Sequence, residues 1–412
     1  MTREIGLSDI QAARARIAHL LVQTPVLADD WLSHELHASI HVKAECLQRS
    51  GSFKIRGAAN SLAMLTDDER SRGVIAHSAG NHAQGVAFAA RSHGIEATIV
   101  MPETAPLTKV NATRALGAHV VLFGSSFDEA GLKCRELQAE HGYTLVHAFN
   151  DPHVIAGQGT IGLEILEQLR NVTLLVVPIG GGGLISGIAI AARSFNPGIR
   201  IVGVQAEGCA TINRSLNAGS PMALTAAQTI ADGIAVKRPG DLTLPIIRKY
   251  VDHVVEVSED DIARGIAHCV QRLHLVTEGA GAAGIAALLA GKISVQSTDV
   301  VCAPLCGGNI DGNLLSRVVE QVMVRAGRYV LLKCTVVDRP GALAPLLNEV
   351  AGAGGNVVDV FHRRAVWLAP LGRVGIELVL EVRDASHSDS IVAHLTASGY
   401  HVEREGVGMW PE

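Results

Sequence analysis

The segment Ser50-Gly-Ser-Phe-Lys-Ile-Arg-Gly-Ala58 places a single lysine, Lys54, among small residues and directly after an aromatic side chain, Phe53. A lysine in a folded protein is usually a solvated surface charge. Two glycines bracket this one, however, which indicates that the backbone runs close to another group. A lysine reacts with carbonyl compounds when burial or a neighbouring cation lowers its pKa, and Arg56 is a candidate for that cation. The segment therefore predicts that Lys54 is a covalent attachment point, provided that the rest of the chain supplies a matching site.

Around this segment, short apolar runs alternate with stretches of helical periodicity. Such alternation indicates an α/β architecture with mostly parallel sheets. The predicted strands cover residues 40–44, 74–76, 97–101, 119–123, 144–148, 173–178, 201–205, 253–257 and 300–305. We expect one large α/β unit that ends near residue 325.

After Gly327 the spacing of the apolar runs changes. Residues 330–337, 356–362, 376–382 and 400–405 are predicted strands, and two helices are predicted to end near residues 353 and 397. The order βαββαβ is that of a ferredoxin-like unit. We therefore expect a second, appended domain.

The composition argues against several classes of protein. The formal net charge is −5 and no basic run occurs, so we expect no nucleic-acid partner. The first residues lack an apolar run of the signal-peptide type, and the long uncharged stretch 174–192 is broken by Pro178 and glycines, so we expect no membrane contact. The seven scattered cysteines predict neither disulfides nor structural zinc, which fits a reducing cytoplasm.

Four consecutive glycines, Gly180–Gly183, follow one predicted strand and precede a helix. Glycines let backbone N–H groups approach an anion, and a helix N-terminus adds a favourable dipole. The alternative is a plain tight turn. The dinucleotide fingerprint fails because no glycine stands at its third position, and no Walker-type Gly-Lys-Ser/Thr occurs. A single phosphate group is therefore a better candidate ligand than a dinucleotide or ATP.

Three further motifs stand where strands end or helices begin. Ser78-Ala-Gly-Asn-His82 offers N–H groups and an amide to a substrate carboxylate, or else simply caps a helix. Cys306-Gly-Gly-Asn309 sets a small polar side chain against a ligand edge, or else holds an ordinary buried cysteine. Glu278-Gly-Ala-Gly281 opens a helix with a carboxylate, for which complementarity to the helix dipole is the simpler explanation.

Together, and in the same order along the chain, these motifs resemble the fold-type II pyridoxal-phosphate enzymes, and within them the threonine/serine dehydratases. The resemblance covers residues 10–325, and the matching segments are 52–58, 78–85, 180–183, 231–236, 278–280 and 307–311. The C-terminal unit, with Asp338-Arg-Pro-Gly-Ala-Leu343, resembles an ACT domain, a module that binds amino acids as effectors. The resemblance implies a catalytic domain over 1–325, with a small subdomain of about residues 50–150 inserted in the large one, and an ACT regulatory domain over 328–412.

The resemblance also implies roles for the site residues. Lys54 would hold pyridoxal 5'-phosphate as a Schiff base and, once freed, act as the base for the α-proton, which leaves Arg56 unassigned. The other cofactor-binding residues would be Phe53, Asn81, Gly180, Gly181, Gly182, Gly183, Glu278 and Cys306, with the four glycines around the phosphate and Cys306 at the pyridine nitrogen. The substrate carboxylate would be bound by Ser78, Ala79, Gly80, Asn81 and His82.

Three features of the chain differ from members of the family that it resembles. Relatives usually carry Ser or Thr where Cys306 stands. A thiol, with an ordinary pKa of roughly 8.5, is a poor acid for keeping a pyridine nitrogen charged, which favours elimination over transamination. Serine racemase-like members carry a second serine where Ala79 stands, so we expect weak racemisation. They also bind a divalent metal through acidic residues of which this chain has only Glu207, so we expect no tight metal site.

The reaction implied by the resemblance is the β-elimination of L-threonine to 2-oxobutanoate and ammonia, with L-serine as a slower substrate. Dehydration of L-serine or 3-hydroxyaspartate is the alternative, and an amino-acid sensor on a catalytically dead scaffold is a more distant one. The ACT resemblance implies control by isoleucine or valine and a homodimer or homotetramer, against a dimerisation module that binds nothing. Isoleucine biosynthesis and threonine breakdown both stay open as the metabolic role.

Overall fold

The computed structural model describes residues 4–363 and 370–405. The chain forms two compact units, Met1–Gly312 and Asn313–Glu412. The predicted domain limits, 1–325 and 328–412, stay a prediction. The compact units divide earlier along the chain, so that nearly all of the helix Gly312–Arg325 groups with the second unit. Residues 406–412 of the predicted second domain lie outside the described residues.

The first unit is built from alternating strands and helices. Its strands are β1 (Val26–Ala28), β2 (Ser39–Lys43), β3 (Val74–His77), β4 (Ala97–Met101), β5 (His119–Leu122), β6 (Thr144–Leu145), β7 (Leu174–Pro178), β8 (Arg200–Ala206), β9 (His253–Val257) and β10 (Val300–Pro304). Its α-helices are α1 (Leu7–Ile17), α2 (Asp30–Leu36), α3 (Lys54–Ala63), α4 (Asp67–Arg72), α5 (Asn81–His93), α6 (Leu107–Ala115), α7 (Phe127–His141), α8 (Pro152–Gln168), α9 (Gly183–Phe195), α10 (Ile212–Ala218), α11 (Thr243–Tyr250), α12 (Glu259–His268) and α13 (Gly279–Leu289).

The strands of the first unit form two sheets. The larger has the order β1-β2-β10-β7-β8-β9, and the smaller has the order β5-β4-β3-β6. All neighbours are parallel except β1 and β2, which pair antiparallel at the edge of the larger sheet. The predicted α/β class with two mostly parallel sheets is confirmed. The antiparallel edge strand β1 was not among the predicted strands, because three residues carry too little periodicity to stand out.

Helix α8 packs closely against both α3 and α9, two of the helices that begin at a predicted site motif. A Cβ at Gly157 on α8 would lie 2.7 Å from the Cα of Gly57 on α3, and a Cβ at Gly187 on α9 would lie 2.8 Å from the Cα of Gly159 on α8. Side chains at these positions would push the helices apart. The glycines therefore bring the start of α3 and the start of α9 to one scaffold helix.

The second unit contains α14 (Gly312–Arg325), β11 (Tyr329–Val337), α15 (Leu343–Gly352), β12 (Asn356–Arg363), β13 (Arg373–Glu381), α16 (Ala385–Ala397) and β14 (His401–Glu405). Its sheet has the order β12-β13-β11-β14, and every pair is antiparallel. Alternate residues of β11, such as Leu332 and Cys334, are buried against Leu346 of α15 and Ile391 of α16. The predicted ferredoxin-like βαββαβ unit is confirmed.

Several expectations concerned features outside the catalytic motifs. All seven cysteines are free and buried. Among residues 4–363 and 370–405, no helix has the length and apolar character needed to cross a membrane, and no cluster of three or more His, Cys, Asp or Glu side chains is placed to hold a metal. Two residues concern the expectation of no tight metal site near Glu207. Glu207 itself is exposed directly after β8. The amide of Asn213, six residues further along the chain, donates to the carbonyl oxygen of Val254 at 3.2 Å.

Candidate active site

The predicted site residues converge on one cavity of about 590 Å³ in the first unit. The cavity is lined by segments that follow strands of both sheets, as expected because the carboxyl ends of parallel strands share one edge. The predicted residues that line it are Phe53, Lys54, Ser78, Ala79, Gly80, Asn81, His82, Gly180, Gly181, Gly183, Glu278 and Cys306. Gly182 does not line the cavity; it turns the chain, with φ +96°, into the first turn of α9. The convergence of these motifs supports treating them as one site.

Lys54 is the first residue of α3 and lines the cavity. Its Nζ lies 5.2 Å from the centroid of the Phe53 ring and donates a hydrogen bond to the carbonyl oxygen of Ala148 at 3.3 Å. Burial lowers the pKa of Lys54 to about 8, although the nearby Glu278 and Cys306 oppose the shift. The unprotonated amine, which a nucleophile towards a carbonyl requires, is therefore a minority form near neutral pH but far more populated than in an ordinary lysine.

Helix α5 is held against the start of α3 by a glycine. A Cβ at Gly85 would lie 3.0 Å from the backbone nitrogen of Ile55, the residue after Lys54. The absence of a side chain on Gly85 lets the first turns of the two helices approach. The Ser78–His82 motif, which leads into α5, is thereby set beside Lys54.

Two polar side chains of that motif, Asn81 and His82, already form hydrogen bonds, although Nδ1 of His82 has no partner among the described residues. The Asn81 amide donates to Oε1 of Glu278, and its oxygen accepts from Nδ2 of Asn309 at 2.8 Å. Nε2 of His82 lies 2.8 Å from the carbonyl oxygen of Val146, to which it donates, because a carbonyl can only accept. Burial lowers the pKa of His82 to about 3, so the imidazole is neutral. A carboxylate at this motif would therefore be bound by backbone N–H groups rather than by a charged histidine.

Glu278 stands at the start of α13, is buried and lines the cavity. Burial raises the pKa of Glu278 to about 7, and the negative charge of Asp232 adds to this effect. Lys109, Asn81 and Lys54 act in the opposite direction. The carboxyl therefore changes protonation state near neutral pH.

The glycine loop follows β7 and forms the N-terminus of α9. Within the described residues, no acceptor receives a hydrogen bond from the backbone N–H groups of Gly180–Gly183. A Cβ at Gly183 would lie 2.9 Å from the Cα of Phe149, and one at Gly182 would lie 2.8 Å from the Cβ of Thr243. The hydroxyl of Thr243 donates to the carbonyl oxygen of Gly181 at 2.6 Å, which fixes the loop. Unpaired N–H groups at a helix N-terminus form a site for an anion such as a phosphate.

Cys306 follows β10 and is buried. Its Sγ lies 3.3 Å from the carbonyl oxygen of Pro304, and its own carbonyl oxygen accepts from the backbone N–H of Phe53 at 3.1 Å. Burial raises the pKa of the Cys306 thiol well above its ordinary value, and the negative charges of Glu45 and Glu278 add to the shift. The site therefore presents a neutral thiol here.

Arg56 does not line the cavity. It is fully buried, donating to both carboxylate oxygens of Glu45 at 2.8 Å and to those of Glu164 at 2.6 and 3.0 Å. Lys43, also fully buried, donates to Glu164 at 2.6 Å. These four side chains, hereafter the buried network, tie the start of α3 to α8 and to the end of β2. Arg56 does not account for the lowered pKa of Lys54, because burial is the cause of that shift.

Sequence reasoning missed two histidines of the cavity, His77 and His147. Nδ1 of His147 accepts from the backbone N–H groups of Phe149 at 3.2 Å and Asn150 at 2.9 Å, so its Nε2 carries the hydrogen. Burial lowers the pKa of His147 to about 4, and burial also lowers the pKa of His77. The position of both histidines at or just after the carboxyl end of a predicted strand was the available signal.

A reactive lysine, an anion-binding glycine loop and a neutral, buried thiol in one cavity define an enzyme that holds a phosphorylated carbonyl compound through a lysine. The profile of the family described as "Pyridoxal-phosphate dependent enzyme" matches residues 17–307. The chain therefore belongs to the pyridoxal-phosphate dependent enzymes, and pyridoxal phosphate is its cofactor.

Similar proteins cover nearly the whole chain. It is 48% identical to an L-threonine ammonia-lyase of Thermotoga maritima over 98% of this chain and 100% of the relative. It is 45% identical to an L-threonine ammonia-lyase of Geobacter sulfurreducens over 96% and 98% of the two chains. Among solved structures, maize serine racemase matches 79% of this chain and 99% of its own, with a TM-score of 0.73 and 37% identity. The processed form of threonine deaminase isoform 2 from Solanum lycopersicum matches 76% and 86%, with a TM-score of 0.72 and 38% identity.

Proposed function

We propose that this chain catalyses the deaminating dehydration of L-threonine to 2-oxobutanoate and ammonia, with L-serine as a secondary substrate. The observation that carries the proposal is the full-length similarity, at 48% identity, to an L-threonine ammonia-lyase. The cavity supports it, since its lysine, glycine loop and N–H donors suit a phosphorylated cofactor and an amino-acid carboxylate. Dehydration of 3-hydroxyaspartate is the competing reaction.

The cofactor would be held by residues that the cavity brings together. Lys54 would bind it covalently through the amine, and the unpaired N–H groups of Gly180–Gly183 would bind its phosphate. Phe53 would pack beside the ring, Asn81 would reach its 3-oxygen, and the neutral Cys306 would face its pyridine nitrogen. Glu278 would act on the ring through Asn81, whose amide it orients.

The chain's own residues bind the substrate and move its α-proton. The bound cofactor supplies the electron sink that makes the α-carbon acidic. The N–H groups at the start of α5, within Ser78–His82, bind the α-carboxylate and orient the α-hydrogen. Nζ of Lys54, once released from the cofactor, would accept that hydrogen as a proton, because burial keeps its pKa low enough for the free amine to be populated.

Racemisation should be weak. A racemase needs a second proton carrier on the opposite face of the α-carbon, and Ala79 offers only a methyl group. His82 does not replace it, since burial lowers its pKa to about 3 and its Nε2 is engaged with Val146. Measurement of D-threonine or D-serine formation alongside 2-oxo acid formation tests this expectation.

The function is tested with the purified, cofactor-loaded chain. An absorbance band of the lysine-bound cofactor should be present and should be absent in Lys54→Ala. The values of kcat/KM for L-threonine, L-serine and 3-hydroxyaspartate should fall in that order. A higher value for 3-hydroxyaspartate than for L-threonine would contradict the proposed substrate, and a chain that takes up no cofactor would revive the sensor alternative.

The second unit is proposed to be an ACT regulatory domain. Its βαββαβ order and antiparallel sheet are compatible with that module. Isoleucine or valine is the proposed effector, and a homodimer or homotetramer the proposed assembly. Calorimetric titration of the full chain with each amino acid tests the effector, and light scattering, which measures the mass of the assembly, tests the oligomeric state. If neither amino acid produces heat, a purely structural role is favoured. The free cysteines fit a cytoplasmic enzyme.

A further inference from the structure

The cavity is lined by four cationic side chains, Lys54, Lys109, Lys237 and Arg238. Lys54 is assigned to the cofactor. Each of the other three forms an ion pair with an aspartate. These pairs, hereafter the cavity pairs, are Lys109–Asp232, Lys237–Asp128 and Arg238–Asp241.

Of the three cavity pairs, that of Lys109 and Asp232 has the least exposed cation. The Lys109 side chain is only 15% exposed, whereas that of Asp232 is 54% exposed. Both charges act on the buried Glu278, whose pKa Asp232 raises and Lys109 lowers. The ammonium group is therefore on the inner side of the pair, and its carboxylate partner is towards the solvent.

The other two cavity pairs are more exposed. The side chain of Lys237 is 41% exposed and lies 2.6 Å from Asp128, and that of Arg238 is 45% exposed and lies 2.7 Å from Asp241. Solvent screens such pairs, so their charges have little effect inside the cavity.

The histidines do not add positive charge. Burial lowers the pKa of His77, His82 and His147, so all three imidazoles are neutral at physiological pH. Apart from Lys54, Lys109 is thus the cation that a ligand inside the cavity would meet, among the lining residues that the structure describes.

We propose that Asp232 is a specificity-determining residue, because its ion pair with Lys109 withholds that cation from a carboxylate on the substrate side chain. This inference rests on the proposed function and concerns the choice among hydroxy amino acids. L-Threonine and L-serine have uncharged side chains and need no such partner. 3-Hydroxyaspartate would bring a second carboxylate into a cavity whose inner cation is already paired, and burying an unpaired charge is costly.

The change Asp232→Asn tests the inference because it keeps the shape of the side chain and frees Lys109. In the holoenzyme, we expect kcat/KM for 3-hydroxyaspartate, relative to that for L-threonine, to rise about tenfold, as one additional partly buried ion pair would give. Adding Lys109→Gln to Asp232→Asn removes the freed cation and should return the ratio to the wild-type value. Asp128→Asn makes the same charge change at a more exposed pair and should alter the ratio by less than about threefold.

A binding measurement gives a second readout that does not need turnover. Succinate carries two carboxylates, and butanoate is a monocarboxylate with the same number of carbons. We expect the Tm of the Asp232→Asn holoenzyme to rise more with succinate than the wild-type Tm does, and to respond equally to butanoate. Because Asp232 is half exposed, the variant should fold, and its Tm without ligand verifies this.

The outcomes separate the inference from the proposed function. An unchanged substrate ratio and unchanged succinate stabilisation in Asp232→Asn would overturn the inference. An equal rise in Asp128→Asn would overturn it too, because net charge alone would then explain the effect. A wild-type chain that does not act on L-threonine would contradict the proposed function, whereas the succinate comparison would still decide the role of Asp232.

Discussion

The first unit contains two sets of charges in opposite surroundings. The buried network of Lys43, Glu45, Arg56 and Glu164 ties down the start of α3, whereas the cations of the cavity pairs line the cavity. In the buried network, all five N–H donors of the guanidinium group are used, on two carboxylates and the hydroxyl of Thr160. In each of the cavity pairs one cation contacts one carboxylate, through a single contact for Lys109 and Lys237 and through two hydrogen bonds for Arg238, and all these side chains are partly exposed. Charges thus hold the position of a helix in one place and set the electrostatics of a site in the other.

The energetic consequences of the two arrangements differ. A buried pair costs much desolvation, and removing one partner leaves an uncompensated charge. An exposed pair contributes little to folding, because water solvates either partner when the other is lost. The same kind of substitution should therefore affect stability in the buried network and substrate choice in the cavity pairs.

The largest effect is expected in the buried network. Arg56→Met should lower the free energy of unfolding by about 3–5 kcal/mol, because Glu45 and Glu164 would lose their main partner in a buried setting. Denaturant unfolding measures this. Lys109→Met is the control at a cavity pair and should cost less than about 1 kcal/mol. Equal losses in the two variants would contradict the distinction between the two sets.

Glu278, which is buried and feels the negative charge of Asp232, should make the stability of the chain depend on pH. Its pKa is raised from 4.5 to about 7, so the folded state binds more protons than the unfolded state between these pH values. The free energy of unfolding should therefore fall as pH rises through this window, by up to about 3 kcal/mol from this group. Glu278→Gln should remove the fall.

Denaturant unfolding of the cofactor-free chain at pH 4.5 and pH 7 measures this linkage. The free energy of unfolding of Glu278→Gln minus that of the wild type should be larger at pH 7 than at pH 4.5. A stability difference that stays constant between the two pH values would show that Glu278 has no raised pKa.

A smaller effect is expected at Cys306, which contributes no charge because burial raises its pKa. Cys306→Ser replaces one small neutral group with another, so most of the elimination activity should be kept. Steady-state kcat for L-threonine, with the absorbance of the bound cofactor as the control for loading, measures this. A collapse of kcat in the fully loaded variant would contradict the neutral role of this residue.

The smallest effect is expected on the stability of Asp232→Asn. Although this change should alter substrate choice, it should shift the free energy of unfolding by no more than about 1 kcal/mol, because the side chain is about half exposed. Thermal or denaturant unfolding of the variant measures this. A loss of free energy of unfolding as large as that of Arg56→Met would show that Asp232, like the buried network, has a structural role.

Much of the site could be predicted because each motif has a local cause. Gly180–Gly183 follow an apolar strand and precede a helix, and Cys306 follows the buried strand β10. In a parallel sheet such positions meet at one edge, so their convergence follows from the strand pattern. The missed residues depend on remote surroundings. His147 is neutral because it is buried, and backbone donors hold its Nδ1. Lys109 matters because it is paired with Asp232.

By itself, the sequence determined the α/β class, the ferredoxin-like second unit and the motifs around Lys54, because periodicity and glycine position are properties of short segments. The tertiary structure alone decided that Arg56 is a structural cation, since its partner Glu164 lies 108 residues away. It also decided that Lys109 is neutralised by Asp232, which is 123 residues distant. Charge partners are chosen by the packing of remote elements, which no local pattern encodes.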